Sequence, residues 1–145
     1  MDTIVVVAAA IVVGDRCLIG QRLDEGSFAG HWEFPGGKPE PGETGHQALV
    51  REIKEELDLD IFVSAWLAQG TALTSARRIV VDTYLAHPID PAACIVRREH
   101  QALRFVGKAD LDAYLWAPAD IPALVPLKKW LSLATPKTCP RILEP

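Results

Sequence analysis

Residues 4–13 are apolar without a break, an Ile/Val/Ala run with no alternation. Such a run reads as a strand covered on both faces. It follows Asp2 with no Lys or Arg before it, and it is about half the length that a bilayer span needs. A buried strand over 3–13 is therefore expected, and not a signal or an anchor. Gly14-Asp15 should turn it into a second strand at 16–22. After a loop at 23–30 a short strand is expected at 32–34. Residues 35–42 contain Pro35, Gly36, Gly37, Pro39, Pro41 and Gly42, and read as irregular chain leading into a helix.

The period then changes. Residues 44–57 read as a helix whose second half, Arg51-Glu52-Ile53-Lys54-Glu55-Glu56-Leu57, consists of good helix formers without Gly or Pro. At about 100° per residue, Leu49, Val50, Ile53 and Leu57 share one side, and Glu52, Glu55 and Glu56 the other. Further strands are expected at 61–68, 77–86 and 102–106, and a short helix at 109–115. A final amphipathic helix, about 121–133, turns Leu124, Leu127 and Leu131 to one face. Residues 135–145 hold three prolines and little core material, and read as a tail. One domain over 1–134 with a tail at 135–145, without internal repeats, is the expected organisation.

At 145 residues a chain buries roughly two-thirds of its unfolded surface, and 49% apolar content excludes a disordered protein. The net charge of −4 argues against a binder of nucleic-acid polymers, while a phosphate substrate needs only a local cluster of cations. Cys17, Cys94 and Cys139 are odd in number, with no CxxC and no His at zinc spacing, so reduced thiols in a cytoplasmic protein are expected. His31, His46, His87 and His100 are scattered, and read as surface or packing residues.

Three carboxylates on one helix face repel one another unless a cation stands between them. Oxygen-only donors favour a hard divalent cation, Mg²⁺ or Mn²⁺, over zinc. The competing reading is a solvated face of an amphipathic helix. The longer spacing decides between them. Gly37-x5-Glu43-x7-Arg51-Glu52-Ile53-x-Glu55-Glu56-x-Asp58-Leu59 resembles the Nudix box, G-x5-E-x7-R-E-U-x-E-E-x-G-U with U aliphatic. Phe34-Pro35-Gly36-Gly37 also resembles the family's lead-in to that helix. One position departs: Asp58 stands where the box has its last glycine. Asp is among the few residues that tolerate the left-handed conformation needed there.

The resemblance implies an α/β/α sandwich with a mixed sheet, and metal-dependent hydrolysis of a nucleoside diphosphate linked to another group. It implies Glu52, Glu55 and Glu56 as metal ligands, joined by a backbone carbonyl near Gly36 or Gly37. Glycine there lets the backbone approach the metal. Arg51 would orient the glutamates, most directly through Glu43, while Glu43 itself could be a cap, a scaffold or a ligand. Glu99, in Glu99-His100-Gln101-Ala102-Leu103, resembles a metal-approaching glutamate of the nucleoside triphosphate branch. Glu52 is the first choice for general base and Glu99 the second. Arg22, in the place of a phosphate-binding arginine of MutT-like enzymes, joins Lys38, Phe34 and Asp120 as the expected substrate-binding set.

Asp120, in Ala117-Pro118-Ala119-Asp120-Ile121-Pro122, resembles the residue that reads the base edge, with a helix N-cap as its plainer role. Ionised, it would accept hydrogen bonds only, which suits the N4 amino group of cytosine and not O4 of thymine. These segments together resemble the CTP/dCTP pyrophosphohydrolase side of the MutT-like group. A nucleoside triphosphate is thus the expected partner, with no nucleic-acid polymer, no membrane, and a homodimer left open. Sanitation of 8-oxo-dGTP is the alternative, followed by ADP-ribose or dinucleoside polyphosphate cleavage. A silent, nucleotide-binding Nudix domain is disfavoured because the box glutamates are all present.

Overall fold

The computed structural model describes residues 2–145. β1 (Asp2–Val13) lies at the centre of the main sheet, and its apolar run is explained by two cores. Val7, Ala9 and Ile11 enter one core, and Ala8, Ala10 and Val12 the other. β2 (Arg16–Gln21) pairs antiparallel with β1, and β3 (Trp32–Glu33) pairs with β2. The segment expected to be irregular contains a strand. β4 (Gly36–Gly37) pairs antiparallel with β1, Val7 opposite Gly37 and Ala8 opposite Gly36. A Cβ at Gly36 would overlap the Val7 carbonyl, so glycine is what lets the two backbones meet.

α1 (Gly45–Leu57) packs Ala48, Leu49, Ile53 and Leu57 into the first core. Thr44 and Gln47 form a capping box at its start. Asp58 ends it in the left-handed conformation expected of it, φ 54°, with its N–H bonded to the Lys54 carbonyl. The expected division of faces needs correction: Val50 is 40% exposed, whereas Glu56 is buried with the apolar residues.

β5 (Ile61–Leu73) runs further than expected, with register shifts at Val63/Ala65 and Trp66/Ala68 that break its alternation. It pairs antiparallel with β6 (Arg77–Pro88), which lies parallel to β1. After β7 (Ile95–Val96), β8 (Ala102–Gly107) pairs with β2. The expected helix at 109–115 is a 3₁₀ turn, Lys108–Ala113. The last helix begins as a second 3₁₀ turn, Pro118–Ala123, and becomes α2 only at Leu124–Ser132. Pro122 lacks the N–H that an α-helical start would use. Leu124, Leu127 and Leu131 are buried in the second core, as their spacing indicated. With α1 on one face of the sheet and α2 on the other, the architecture is the α/β/α sandwich.

The tail is not loose. β9 (Ile142–Leu143) pairs parallel with β7, and Ile142 packs against the first core.

Candidate active site

A cavity of about 480 Å³ opens beside β4. Arg22, Phe34, Gly37, Lys38, Glu56, Glu99 and Asp120 line it, so seven of the residues singled out from sequence meet in one place. Apolar residues of the sheet, Val6, Ala8, Ala72, Ile79 and Val81, supply another part of the lining. Phe34 packs against Trp116 with ring centres 4.9 Å apart and planes tilted by 32°. Arg51, Glu52 and Glu55 do not line the cavity. Glu52 lies directly behind Gly37, where a Cβ would overlap its carboxylate. The glycine therefore makes room for the glutamate as well as exposing its own backbone.

Arg51 organises the acidic helix. It bonds both oxygens of Glu43 and donates from Nη1 to Glu52 Oε1 at 3.0 Å and from Nη2 to the Lys38 carbonyl at 3.1 Å. Glu55 is a more distant partner at 3.3 Å. The Arg51 hydrogen bonds hold Glu43 down at about 2, with help from the Glu40 N–H. Since Thr44 is the cap and Glu43 is fully engaged with Arg51, the scaffold role expected of Glu43 fits the geometry better than capping.

Glu56 behaves differently. It is 6% exposed, and its Oε2 has no hydrogen-bond partner. Burial pushes its carboxyl up to about 9, and the nearby charges of Glu99, Glu33 and Glu52 add to the effect. Burial likewise raises Glu52, against the opposing Arg51 hydrogen bond. A buried, partnerless carboxylate oxygen facing other carboxylates fits a hard divalent cation in its donor chemistry. As the side chains stand, no three His, Cys, Asp or Glu among the described residues converge closely enough to hold an ion. Glu52 is turned toward Arg51 instead.

Asp120 departs from the plainer role expected of it, a helix N-cap. It caps neither helical segment, whose caps are Ala117 and Ala123. Its Oδ2 accepts the Phe34 N–H at 2.9 Å, and burial, then the charge of Glu33, pushes its carboxyl up to about 8. Raised this far, the group can hold a proton near neutral pH, and in that form it donates as well as accepts.

Glu33, which had no assigned role, and His100, expected to be a surface or packing residue, also line the cavity. Glu33 Oε1 takes Arg22 Nη1 at 2.8 Å, and Oε2 lies 2.9 Å from His100 Nε2. Burial pushes Glu33 up, but the hydrogen bonds from His100 and Arg22 hold it below the usual carboxylate range. The sequence signal for this contact is Gly20, a glycine inside a strand, which commonly marks a close approach.

The family model for the NUDIX domain matches residues 3–126. The chain belongs to the Nudix family. This Nudix chain is 40% identical over 124 residues to CTP pyrophosphohydrolase from Escherichia coli, covering 86% of this chain and 90% of that protein. It is 40% identical over 121 residues to putative 8-oxo-dGTP diphosphatase 2 of Mycobacterium tuberculosis, covering 80% and 82%. The solution structure of the E. coli ORF135 protein superposes with a TM-score of 0.75 at 38% identity, covering 95% of this chain and 96% of that one. Nudix hydrolases use divalent metal ions, in keeping with the donor chemistry around Glu56. Among the described residues no helix is long and apolar enough to cross a membrane.

Proposed function

We propose that this Nudix hydrolase cleaves CTP or dCTP, or a modified cytidine nucleotide, to the monophosphate and pyrophosphate. The observation that carries the reading is Asp120, a buried carboxyl group in the same cavity as Arg22, Lys38, Glu56 and Glu99. Neutral, it can donate to N3 of cytosine while accepting from the N4 amino group; ionised, it accepts from N4 alone. The similarity to a CTP pyrophosphohydrolase supports the same substrate.

Glu52, Glu55, Glu56, Glu99 and the Gly37 carbonyl would hold the cation, with Mg²⁺ the first choice and Mn²⁺ suited to the same oxygen donors. When bound, the cation supplies Lewis acidity, offsetting phosphate charge and acidifying the attacking water. Arg22 and Lys38 contact the triphosphate, and Phe34 offers an aromatic wall to the base. Glu52 takes the proton of the attacking water, with Glu99 as second choice. Water adds to an inner phosphorus and pyrophosphate leaves, so one water is consumed for each bond broken.

Hydrolysis of 8-oxo-dGTP is the second reading. A protonated Asp120 also suits a purine edge that offers both a donor and an acceptor, and a relative of equal identity carries that name. A turnover panel of canonical, methylated and oxidised nucleoside triphosphates, with product analysis in ¹⁸O-water, tests both readings. Cytidine nucleotides should lead the panel and give pyrophosphate. Orthophosphate as primary product, or an oxidised purine in the lead, overturns the first reading.

A further inference from the structure

His100 is 4% exposed, and its Nδ1 is buried without a hydrogen-bond partner. An apolar side chain would fill this space without that cost, so packing alone does not account for an imidazole here. What the ring adds is its other nitrogen, 2.9 Å from Glu33 Oε2. Glu33 is held in its charged form and accepts only, so Nε2 carries the proton.

The surroundings fix this contact from several sides. The ring lies on Gly20, where a Cβ would come 2.6 Å from His100 Cδ2 and 2.9 Å from Nε2. The His100 carbonyl accepts from Arg97 Nη1 at 2.6 Å, and the Gln101 N–H bonds to the Gln21 carbonyl at 3.0 Å. On the far side of Glu33, Arg22 donates from Nη1 to the carboxylate and from Nε to the Ser27 carbonyl at 3.1 Å. Both Glu33 oxygens are thus engaged, one by the histidine and one by the arginine. If His100 is removed, Oε2 loses its partner and the carboxylate can rotate, releasing the guanidinium from its place in the pocket.

We propose that His100 is a positioning residue: through Nε2 it locks Glu33, and through Glu33 it presents Arg22 to the bound triphosphate. The inference rests on the reading of Arg22 as a phosphate contact, and does not depend on which base is preferred.

The test compares His100→Ala, His100→Gln, Gly20→Ala and Glu33→Gln with the double variant His100→Ala/Glu33→Gln. Steady-state kinetics use the best triphosphate of the turnover panel, corrected for folded fraction. Losing a hydrogen bond to a charged group should raise KM roughly ten- to a hundredfold in His100→Ala, with kcat changed far less. His100→Gln, whose amide N–H can reach Glu33, should recover most of the loss, and Gly20→Ala should resemble His100→Ala by displacing the ring. The double variant should be no worse than the poorer single variant. Independent, multiplying effects, a Gln variant no better than Ala, or a fall in kcat at unchanged KM would each overturn the proposal. Imidazole ¹⁵N spectra give a readout that needs no turnover: Nε2 should be protonated in the native protein and shift in Glu33→Gln. An unprotonated Nε2 also overturns it. A purine-preferring enzyme in which the kinetic coupling still holds would sink the cytidine reading and leave this one standing.

Discussion

Arg51 grips Glu43 through two parallel hydrogen bonds, Nε to Oε2 at 2.8 Å and Nη2 to Oε1 at 2.9 Å. The same guanidinium reaches Glu52 and the Lys38 carbonyl, so it joins the loop before α1, the helix itself and the glycine segment. Arg51→Lys keeps the charge and loses the planar fork. It should lower kcat roughly 10- to 100-fold while the fold persists by circular dichroism. Wild-type kcat in this variant would mean that charge alone matters.

Metal dependence should be absolute. Chelation should abolish turnover, and either Mg²⁺ or Mn²⁺ should restore it. Glu56→Gln should weaken metal binding and slow turnover by orders of magnitude. The same change should not lower the Tm of the metal-free protein, because burial already keeps Glu56 neutral there. Calorimetry of both proteins in chelator checks this, and a destabilised variant would indicate a structural carboxylate instead.

Asp120 gives a pH test. Its folded value is raised from 3.8 to about 8, so across that interval the folded state holds a proton that the unfolded chain has lost. Its contribution to stability is fully present below about pH 4 and is lost as pH rises through about 8. Glu56 acts in the same direction up to about 9 in the metal-free protein. Urea unfolding between about pH 5 and about pH 8.5 should show this decline, and Asp120→Asn should flatten part of it. The kcat/KM for dCTP should fall over the same interval as Asp120 ionises and loses its donor to cytosine N3. Asp120→Ala should cut base discrimination by roughly ten- to a hundredfold. Unchanged ratios would remove Asp120 from base reading.

Deleting residues 141–145 removes β9 and two backbone hydrogen bonds, Ile95 N–H to the Arg141 carbonyl and Arg97 N–H to the Leu143 carbonyl. It also removes the Glu144 partner of Arg97, whose other contact is the His100 carbonyl. The cost should be about 1–3 kcal/mol in unfolding free energy. Amide exchange across residues 95–100 should speed up, and activity should fall. Native exchange rates there would show that the tail is dispensable.

Much of this was legible because it is local. The helical period at 45–57 and the tolerance of Asp58 for a left-handed cap depend on nearest neighbours, as does the apolar seam of Leu124, Leu127 and Leu131. Other features depend on partners far along the chain. Gly36 and Gly37 carry no strand preference, and pair only because Val7 and Ala8 present an open backbone edge. Ile142 and Leu143 are too short a run to show a period. The contact between Glu33 and His100 spans 67 positions, and nothing in either neighbourhood announces it. The upward shift of the Asp120 carboxyl could not be read either, since it is set by the depth of its burial and by the charge of Glu33.

The pairing of β7 with β9 also bears on how the protein is made. Residues 95–100 are synthesised well before residues 141–144, the stretch that braces them. A growing chain can close its main sheet while the loop bearing Glu99 and His100 still lacks that support. Polypeptides interrupted before residue 142 would therefore lack the strand that pairs with β7, and with it the brace on the loop bearing Glu99 and His100.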